Sequence, residues 1–404
     1  MRTVSAVCLA VLMMVAWPQG QTQGKAPEQA PRGIQPDRDH PILPIGSPAP
    51  DFALSGVDGK IHRLSDYARA KVLAVVFESN HCPVSILYET RIKKLYEDYR
   101  GRGVAVVAIN PNNPHAIRLD EQGYTDVSDS LAEMKIRAAY RHREWPYLYD
   151  GETQATAAKF GVVATPHIFV FDQNRKLQYQ GRIDDNVRES LVKSQDARNA
   201  FDALLAGKPV PVAQTGAFGC STKWITKATG VEQEMAKIKA EPVKLDMAGA
   251  EDLKKLRANG TGKILLVNFW STGCSVCVSQ FPDLETTYRM YRSRSGRYAH
   301  VEFVSVSTNP PSEQPGVLEF LQKQYAGNPN MQFATTDGRS LQSAWGATWN
   351  VSSSFTVVIA PDGKVVYQKE GKLDILELRR AILANMPDVA AYPGQHDYWA
   401  GTGK

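Results

Sequence analysis

Apolar positions fall into two patterns that alternate along the chain. Short unbroken runs rich in β-branched residues occupy Lys71–Phe77 (KVLAVVF), Val104–Ile109 (VAVVAI), His167–Phe171, Ile264–Phe269, Val301–Val306 and Phe355–Ile359. Runs of this length without alternation predict strands covered on both faces. Between them, apolar residues recur at helical spacing. Tyr88, Ile92, Leu95 and Tyr99 define one helical face, and Gly101 and Gly103 end it. Further helices are predicted over 128–140, 153–160, 197–205, 232–239, 315–325, 340–345 and 373–384, with one from Cys274 to Tyr291. Ala49–Leu54 reads as an edge strand before a turn at Gly59-Lys60, and Asp362-Gly363 as a hairpin turn leading into Lys364–Tyr367. The order strand, cysteine at a helix start, strand, helix, hairpin, helix occurs twice. This is a repeat of architecture rather than of residues. It predicts an α/β protein of two modules, each a central mixed β-sheet flanked by helices.

The flanks read differently. Arg2 precedes an almost wholly apolar stretch from Val4 to Trp17, and small and polar residues follow to Gly24. The stretch is too short to span a bilayer comfortably, which favours a cleaved export signal over 1–24 rather than an anchor. Residues 25–44 read as a flexible leader rich in Pro, Gln and Gly, with order beginning near Ile45. The first module is assigned 45–215, a Cys220-containing connector 216–244, the second module 245–386, and a loosely held tail 387–404. At 404 residues and 43% hydrophobic content the chain has material for two cores. A net charge of +5 without a Lys/Arg run gives no nucleic-acid footprint.

Export changes the meaning of the cysteines. Cys8 lies in the signal, so Cys82, Cys220, Cys274 and Cys277 remain. In an oxidising compartment they form two pairs, or are reactive thiols kept reduced by a partner, and the spacing alone does not choose the connectivity. Cys274-Ser275-Val276-Cys277 sits where a buried strand hands over to a helix. Free N–H groups there favour a thiolate, and the second cysteine lies one turn on, so the pattern is that of a redox pair. Zinc would need two more ligands, and no second such pair or nearby His pair exists. Cys82 occupies the same place in the first module, in Phe77-Glu78-Ser79-Asn80-His81-Cys82-Pro83, but Ser85 replaces a second cysteine. Cys82 is either a nucleophile needing a distant resolver or an inert core thiol. His81 points inward and favours the thiolate, or is solvated, the commoner state of such a residue. Ser79 is placed to offer a hydroxyl near the sulfur. Arg182 stabilises charge at the site or forms a surface ion pair. Asp184-Asp185 and Glu251-Asp252 read as solvated acids.

Two resemblances add to this reading. Val267-Asn268-Phe269-Trp270-Ser271-Thr272-Gly273 before the cysteine pair, with Ala360-Pro361-Asp362-Gly363-Lys364 later, resembles the TlpA/ResA-like thioredoxin family over about residues 245–386. This implies a thioredoxin fold in which Cys274 attacks and Cys277 resolves. Gly273 stands where the family usually has Trp, and Ser354 where a cis-proline faces the disulfide. A non-proline cis bond costs about 3 kcal/mol, so a trans loop of different shape is expected at Ser354. The first module resembles the AhpC/TSA-type redoxins, in a peroxiredoxin-like subgroup. The matching pieces are Pro48-Ala49-Pro50-Asp51-Phe52, Asn80-His81-Cys82-Pro83, Ala164-Thr165-Pro166-His167, Gly181-Arg182-Ile183-Asp184-Asp185 and Gly219-Cys220-Ser221-Thr222-Lys223-Trp224. The resemblance implies a cis-Pro166 facing Cys82. Of the peroxiredoxin pattern PxxxTxxC only the hydroxyl survives, with Val75 and Ser79 at its first two positions. The shared segment at Cys220 suggests that it resolves Cys82.

The expected function is an exported thiol–disulfide oxidoreductase reducing small peroxides or protein disulfides, recharged by a membrane thiol reductase. The competing reading is a periplasmic module that binds copper or a client protein without turnover, favoured by Ser354 and Ser85. No cofactor is expected, since no Gly-rich phosphate loop, zinc-protease motif or serine nucleophile elbow is present.

Overall fold

A strand buried on both faces must present alternate side chains to two cores, and the first module is built around one. In Val72–Phe77 (β3), Val72, Ala74 and Val76 face one apolar cluster, and Leu73, Val75 and Phe77 face the other. That two-sided burial is why the run carries no polar alternation. The computed structural model describes residues 34–35, 38–292, 300–389 and 391–401. The stretch read as an export signal, with Cys8, lies outside the described residues.

Ahead of β3 come Ala53–Gly56 (β1) and Ile61–Arg63 (β2); after it come Val104–Asn110 (β4), Tyr147–Tyr149 (β5), Ala164–Thr165 (β6), His167–Phe171 (β7), Leu177–Gly181 (β8) and Cys220–Ser221 (β9). The sheet order is β2-β1-β5-β4-β3-β7-β8, with β3 parallel to β4 and antiparallel to β7. Helices Pro83–Tyr99 (α1), Leu131–Tyr140 (α2), Ala155–Phe160 (α3) and Asp196–Leu205 (α4) accompany it. Ala228–Ala240 (α5) then leads to the second sheet.

That sheet comprises Asp246–Ala248 (β10), Ile264–Trp270 (β11), Val301–Ser307 (β12), Asn330–Phe333 (β13), Phe355–Ile359 (β14) and Val365–Glu370 (β15), in the order β10-β13-β12-β11-β14-β15. Its helices are Ala250–Ala258 (α6), Ser275–Tyr291 (α7), Gln314–Lys323 (α8), Gly338–Trp345 (α9), Ile375–Ala384 (α10) and Gln395–Trp399 (α11). β11 pairs in parallel with β12 and antiparallel with β14, which pairs with β15. The β4-β3-β7-β8 pattern of the first sheet is thus repeated as β12-β11-β14-β15. Both sheets are thioredoxin-like, and they belong to one compact unit.

Two expectations about the flanks are corrected. Order begins before Ile45: the Ile34 amide donates to Ala217 O, the Leu43 amide to Phe160 O, and the His40 ring packs 3.8 Å from Trp224. The tail after Met386 is not loose. α11 buries Gln395, Tyr398 and Trp399 against the first module. Tyr398 Oη donates to Glu89 (2.5 Å) and accepts from Arg137 (2.8 Å), Trp399 Nε1 donates to Tyr124 O (3.1 Å), and Gln395 Nε2 to Pro83 O (2.9 Å). Beside it, Arg380 of α10 reaches the buried Asp126 carboxylate at 2.7 Å. Among the described residues no helix is long and apolar enough to cross a membrane.

Candidate active sites

Cys82 is the N-cap of α1 because Pro83 begins the helix where an N–H is not needed. Its sulfur accepts from the Ser85 amide at 3.5 Å and, as a thiol, donates to Thr165 O at 3.1 Å. The Thr165–Pro166 bond is cis, the only such bond among the described residues. The Ser79 and Thr165 hydroxyls meet at 2.9 Å, tying the cysteine loop to the proline loop. β9 pairs with β6 so that Cys220 lies opposite Thr165. Gly219 makes this possible: its φ is +147°, and a Cβ there would lie 2.0 Å from Thr165 O. Cys220 is half-buried and Cys82 fully buried, and the two thiols are near enough to perturb each other's proton affinity.

The two thiols are polarised in opposite directions. Burial raises the Cys82 pKa, but the Cys220 hydrogen bond, the His81 charge and the Ser85 amide outweigh it and bring it down to about 6. The bond to Cys82 and burial push Cys220 well above the ordinary thiol value. Of the two, Cys82 is the one whose surroundings favour the thiolate.

The expectation of a solvated His81 is overturned. The ring is buried and its Nδ1 lies 2.7 Å from Oδ2 of the equally buried Asp129. Burial lowers the His81 pKa, but the Asp129 charge and hydrogen bond prevail and raise it. Arg182 is held by Asp196 at 2.7 Å, the ion-pair alternative. Asp184 is not solvated: it is buried and receives Arg91 (2.8 Å) and the Tyr88 hydroxyl, whereas Glu251 and Asp252 are exposed. Asp129 and Asn112 escaped the sequence reading, since Ser128-Asp129-Ser130 reads as a helix cap.

In the second module Cys274 caps α7 and is bonded to Cys277, with Cα atoms 5.2 Å apart. The Cys277 amide donates to Cys274 Sγ at 3.1 Å. Cys274 is half-buried and Cys277 buried, so Cys274 is the sulfur that an incoming group reaches. Trp270 and Ser354, expected at the substrate surface, are both interior. Trp270 packs 4.9 Å from Phe281 and Phe320. Ser354 is fully buried in a trans loop, its Oγ accepting from Asn268 (3.0 Å) and Gln280 (2.7 Å). A hydroxyl thus replaces the proline and is satisfied from within. Thr272 and Gly273 are exposed, and a cleft of about 480 Å³ opens beside them, lined by Thr308, Asn309, Glu313 and Asp337. Among the described residues, no group of three or more His, Cys, Asp or Glu side chains is arranged to hold a metal ion.

Two cysteines at helix N-termini, each at the end of a central strand of a thioredoxin-like sheet, define a thiol redox protein. Residues 45–180 match the AhpC/TSA family and residues 226–381 the Redoxin family. A thiol-disulfide oxidoreductase ResA of Geobacillus thermodenitrificans is 28% identical over 134 residues, 33% of this chain and 67% of that one. Two crystal structures are also similar. A hypothetical protein from Sinorhizobium meliloti 1021 is 34% identical, covering 46% of this chain and 97% of that one with a TM-score of 0.40. An uncharacterized conserved protein from Geobacillus kaustophilus is 36% identical, covering 46% and 94% with a TM-score of 0.41. The chain is a tandem thioredoxin-fold protein, its first domain matching the AhpC/TSA family and its second the Redoxin family.

Proposed function

We propose that the chain is an exported two-site thiol relay that reduces small peroxides or protein disulfides at Cys82, resolves through Cys220, and is recharged by the Cys274/Cys277 pair. The observation that carries this reading is the β6–β9 pairing that sets Cys220 opposite Thr165, whose carbonyl oxygen Cys82 Sγ reaches at 3.1 Å, with the proton affinities of the two thiols displaced in opposite directions. The Cys82 thiolate attacks a peroxide oxygen; the O–O bond breaks, the leaving oxygen takes a proton, and Cys82 becomes a sulfenic acid. Losing the negative charge at Cys82 removes what held the Cys220 proton, so Cys220 becomes the better nucleophile at that moment. Its attack forms the Cys82–Cys220 disulfide and releases water. With a protein disulfide the same thiolate forms a mixed disulfide, which Cys220 opens.

Reduced Cys274/Cys277 then exchanges with that disulfide, two thiols for two thiols, and is itself left oxidised. Export, supported by the apolar stretch after Arg2, makes a membrane thiol reductase the source of its electrons.

Mass spectrometry of the reduced mature protein, before and after one equivalent of hydrogen peroxide, tests this. The expected product is a Cys82–Cys220 disulfide that disappears as Cys274–Cys277 forms. An untouched Cys82 overturns the peroxidase reading and leaves disulfide exchange by the second domain.

A further inference from the structure

The Cys82 loop is held by a buried carboxylate that no cysteine motif contains. Asp129 accepts from four groups: the amides of Asn80 (2.8 Å) and His81 (3.2 Å), His81 Nδ1 (2.7 Å) and Asn112 Nδ2 (2.9 Å). Asp129 and Asn112 have no solvent exposure, and His81 is 1% exposed. Asn112 is bonded at both ends, for its Oδ1 accepts from the Lys223 amide at 2.9 Å. Lys223 lies three residues beyond Cys220, so one side chain connects the carboxylate to the segment carrying the second thiol. His81 Nε2 is buried without a hydrogen-bond partner. A fully buried imidazole in that state is charged only through its anionic neighbours, the Asp129 carboxylate first and the Cys82 sulfur after it.

We propose that Asp129 is the positioning residue of the Cys82 site: it holds His81 as an imidazolium beside the sulfur and, through Asn112, fixes the Cys220 segment against the same point. The proposal rests on the reading of Cys82 as an attacking thiolate. The charged and titratable groups around His81 besides Asp129 are few. Cys82 lies on its own loop. Lys223 approaches from the Cys220 segment with its partner Glu121 at 2.5 Å. Tyr147 of β5 donates to Asn80 Oδ1, and Arg143 pairs with Glu78 at the root of the loop. Lys223 opposes the imidazolium and is itself offset by Glu121, so the Asp129 carboxylate dominates. The sign at Cys82 follows from proximity: His81 lowers its proton affinity. Without the carboxylate, burial returns His81 to the neutral form and that effect is lost.

The test is the pH profile of Cys82 alkylation by iodoacetamide in the full, reduced chain, read at the Cys82 peptide by mass spectrometry. It is run for wild type, Asp129→Asn, His81→Gln and the double variant. A charge within contact range shifts a neighbouring group by about 1–3 pH units, so Asp129→Asn moves the midpoint up by at least about one unit and slows alkylation about tenfold below it. His81→Gln moves it as far or further, and adding Asp129→Asn to His81→Gln moves it little more, because the carboxylate acts through the ring. A low wild-type midpoint that Asp129→Asn leaves unmoved overturns the positioning role alone. An ordinary thiol midpoint in the wild type overturns the reading of Cys82 with it. If Asp129→Asn does not fold, His81→Gln decides: an unmoved midpoint overturns the proposal.

Discussion

Gly219 decides whether the two thiols of the first domain can meet, and Gly219→Ala is the sharpest perturbation of that geometry. A Cβ at this position would stand 2.0 Å from the Thr165 oxygen and 2.8 Å from its carbonyl carbon. Nonbonded heavy atoms rest about 3.5 Å apart, so relief requires a shift of roughly 1.5 Å. The backbone at φ +147° adds strain for any residue with a side chain, of order 1–3 kcal/mol. The β6–β9 ladder has only two residue pairs to resist this, Ala164 with Ser221 and Thr165 with Cys220. It gives way before the seven-stranded sheet does. Cys220 is then displaced relative to Cys82, and a disulfide tolerates only a narrow Cβ–Cβ separation of about 3.5–4.5 Å. If 1–3 kcal/mol must be regained to close the bond, peroxide-driven formation of Cys82–Cys220 slows by about 5- to 160-fold. The assay is the time course of that disulfide by mass spectrometry, with thermal unfolding as the check on the fold. Gly207→Ala is the control: φ there is +66°, but nothing lies within 4 Å of the added carbon. Equal disulfide rates in the two variants would refute the reasoning, because both strain the backbone and only one displaces Cys220.

Two further outcomes concern other parts of the molecule. Trp399→Ala removes a buried aromatic and its bond to Tyr124 O, costing about 3–5 kcal/mol of docking for α11. Amide exchange at 83–86 and 124–127 should quicken while the two sheets keep their protection; unchanged exchange at both segments would contradict the docking. Burial raises the Glu285 pKa to about 8 despite Arg289 at 3.1 Å. The native state therefore keeps a proton that the unfolded chain has released, and stability falls as pH rises from the ordinary glutamate value towards 8. Glu285→Gln should flatten that fall, by about 3–4 kcal/mol between pH 5 and 8, and parallel wild-type and variant curves of unfolding free energy against pH would exclude it.

The long strands and helices were legible because their burial leaves a mark in the local pattern. Val72–Phe77 and Ile264–Trp270 are apolar throughout since both faces are covered. Tyr147–Tyr149 and the two-residue strands β6 and β9 leave no such mark: their extended form comes from partners distant in sequence. α11, the five residues QHDYW, is too short and polar to announce a helix, and its aromatic side chains find cover between α10 and the first domain. At the site, the cysteines were legible from their place after a strand and before a helix. The His81–Asp129 pair was not, because 48 residues separate its members and each has an ordinary solvated reading. Ser354 was rightly read as trans, but its interior position depends on Asn268 and Gln280 reaching it from β11 and α7.

The docking of α11 also bears on how the molecule is made. The first domain contains all its own strands by Ser221, yet the surface over Glu89, Tyr124, Arg137 and Pro83 is closed by Gln395, Tyr398 and Trp399. During synthesis from the N-terminus, that surface stays uncovered while more than a hundred further residues emerge. The Cys82 helix thus spends the whole of that interval with its first turn open.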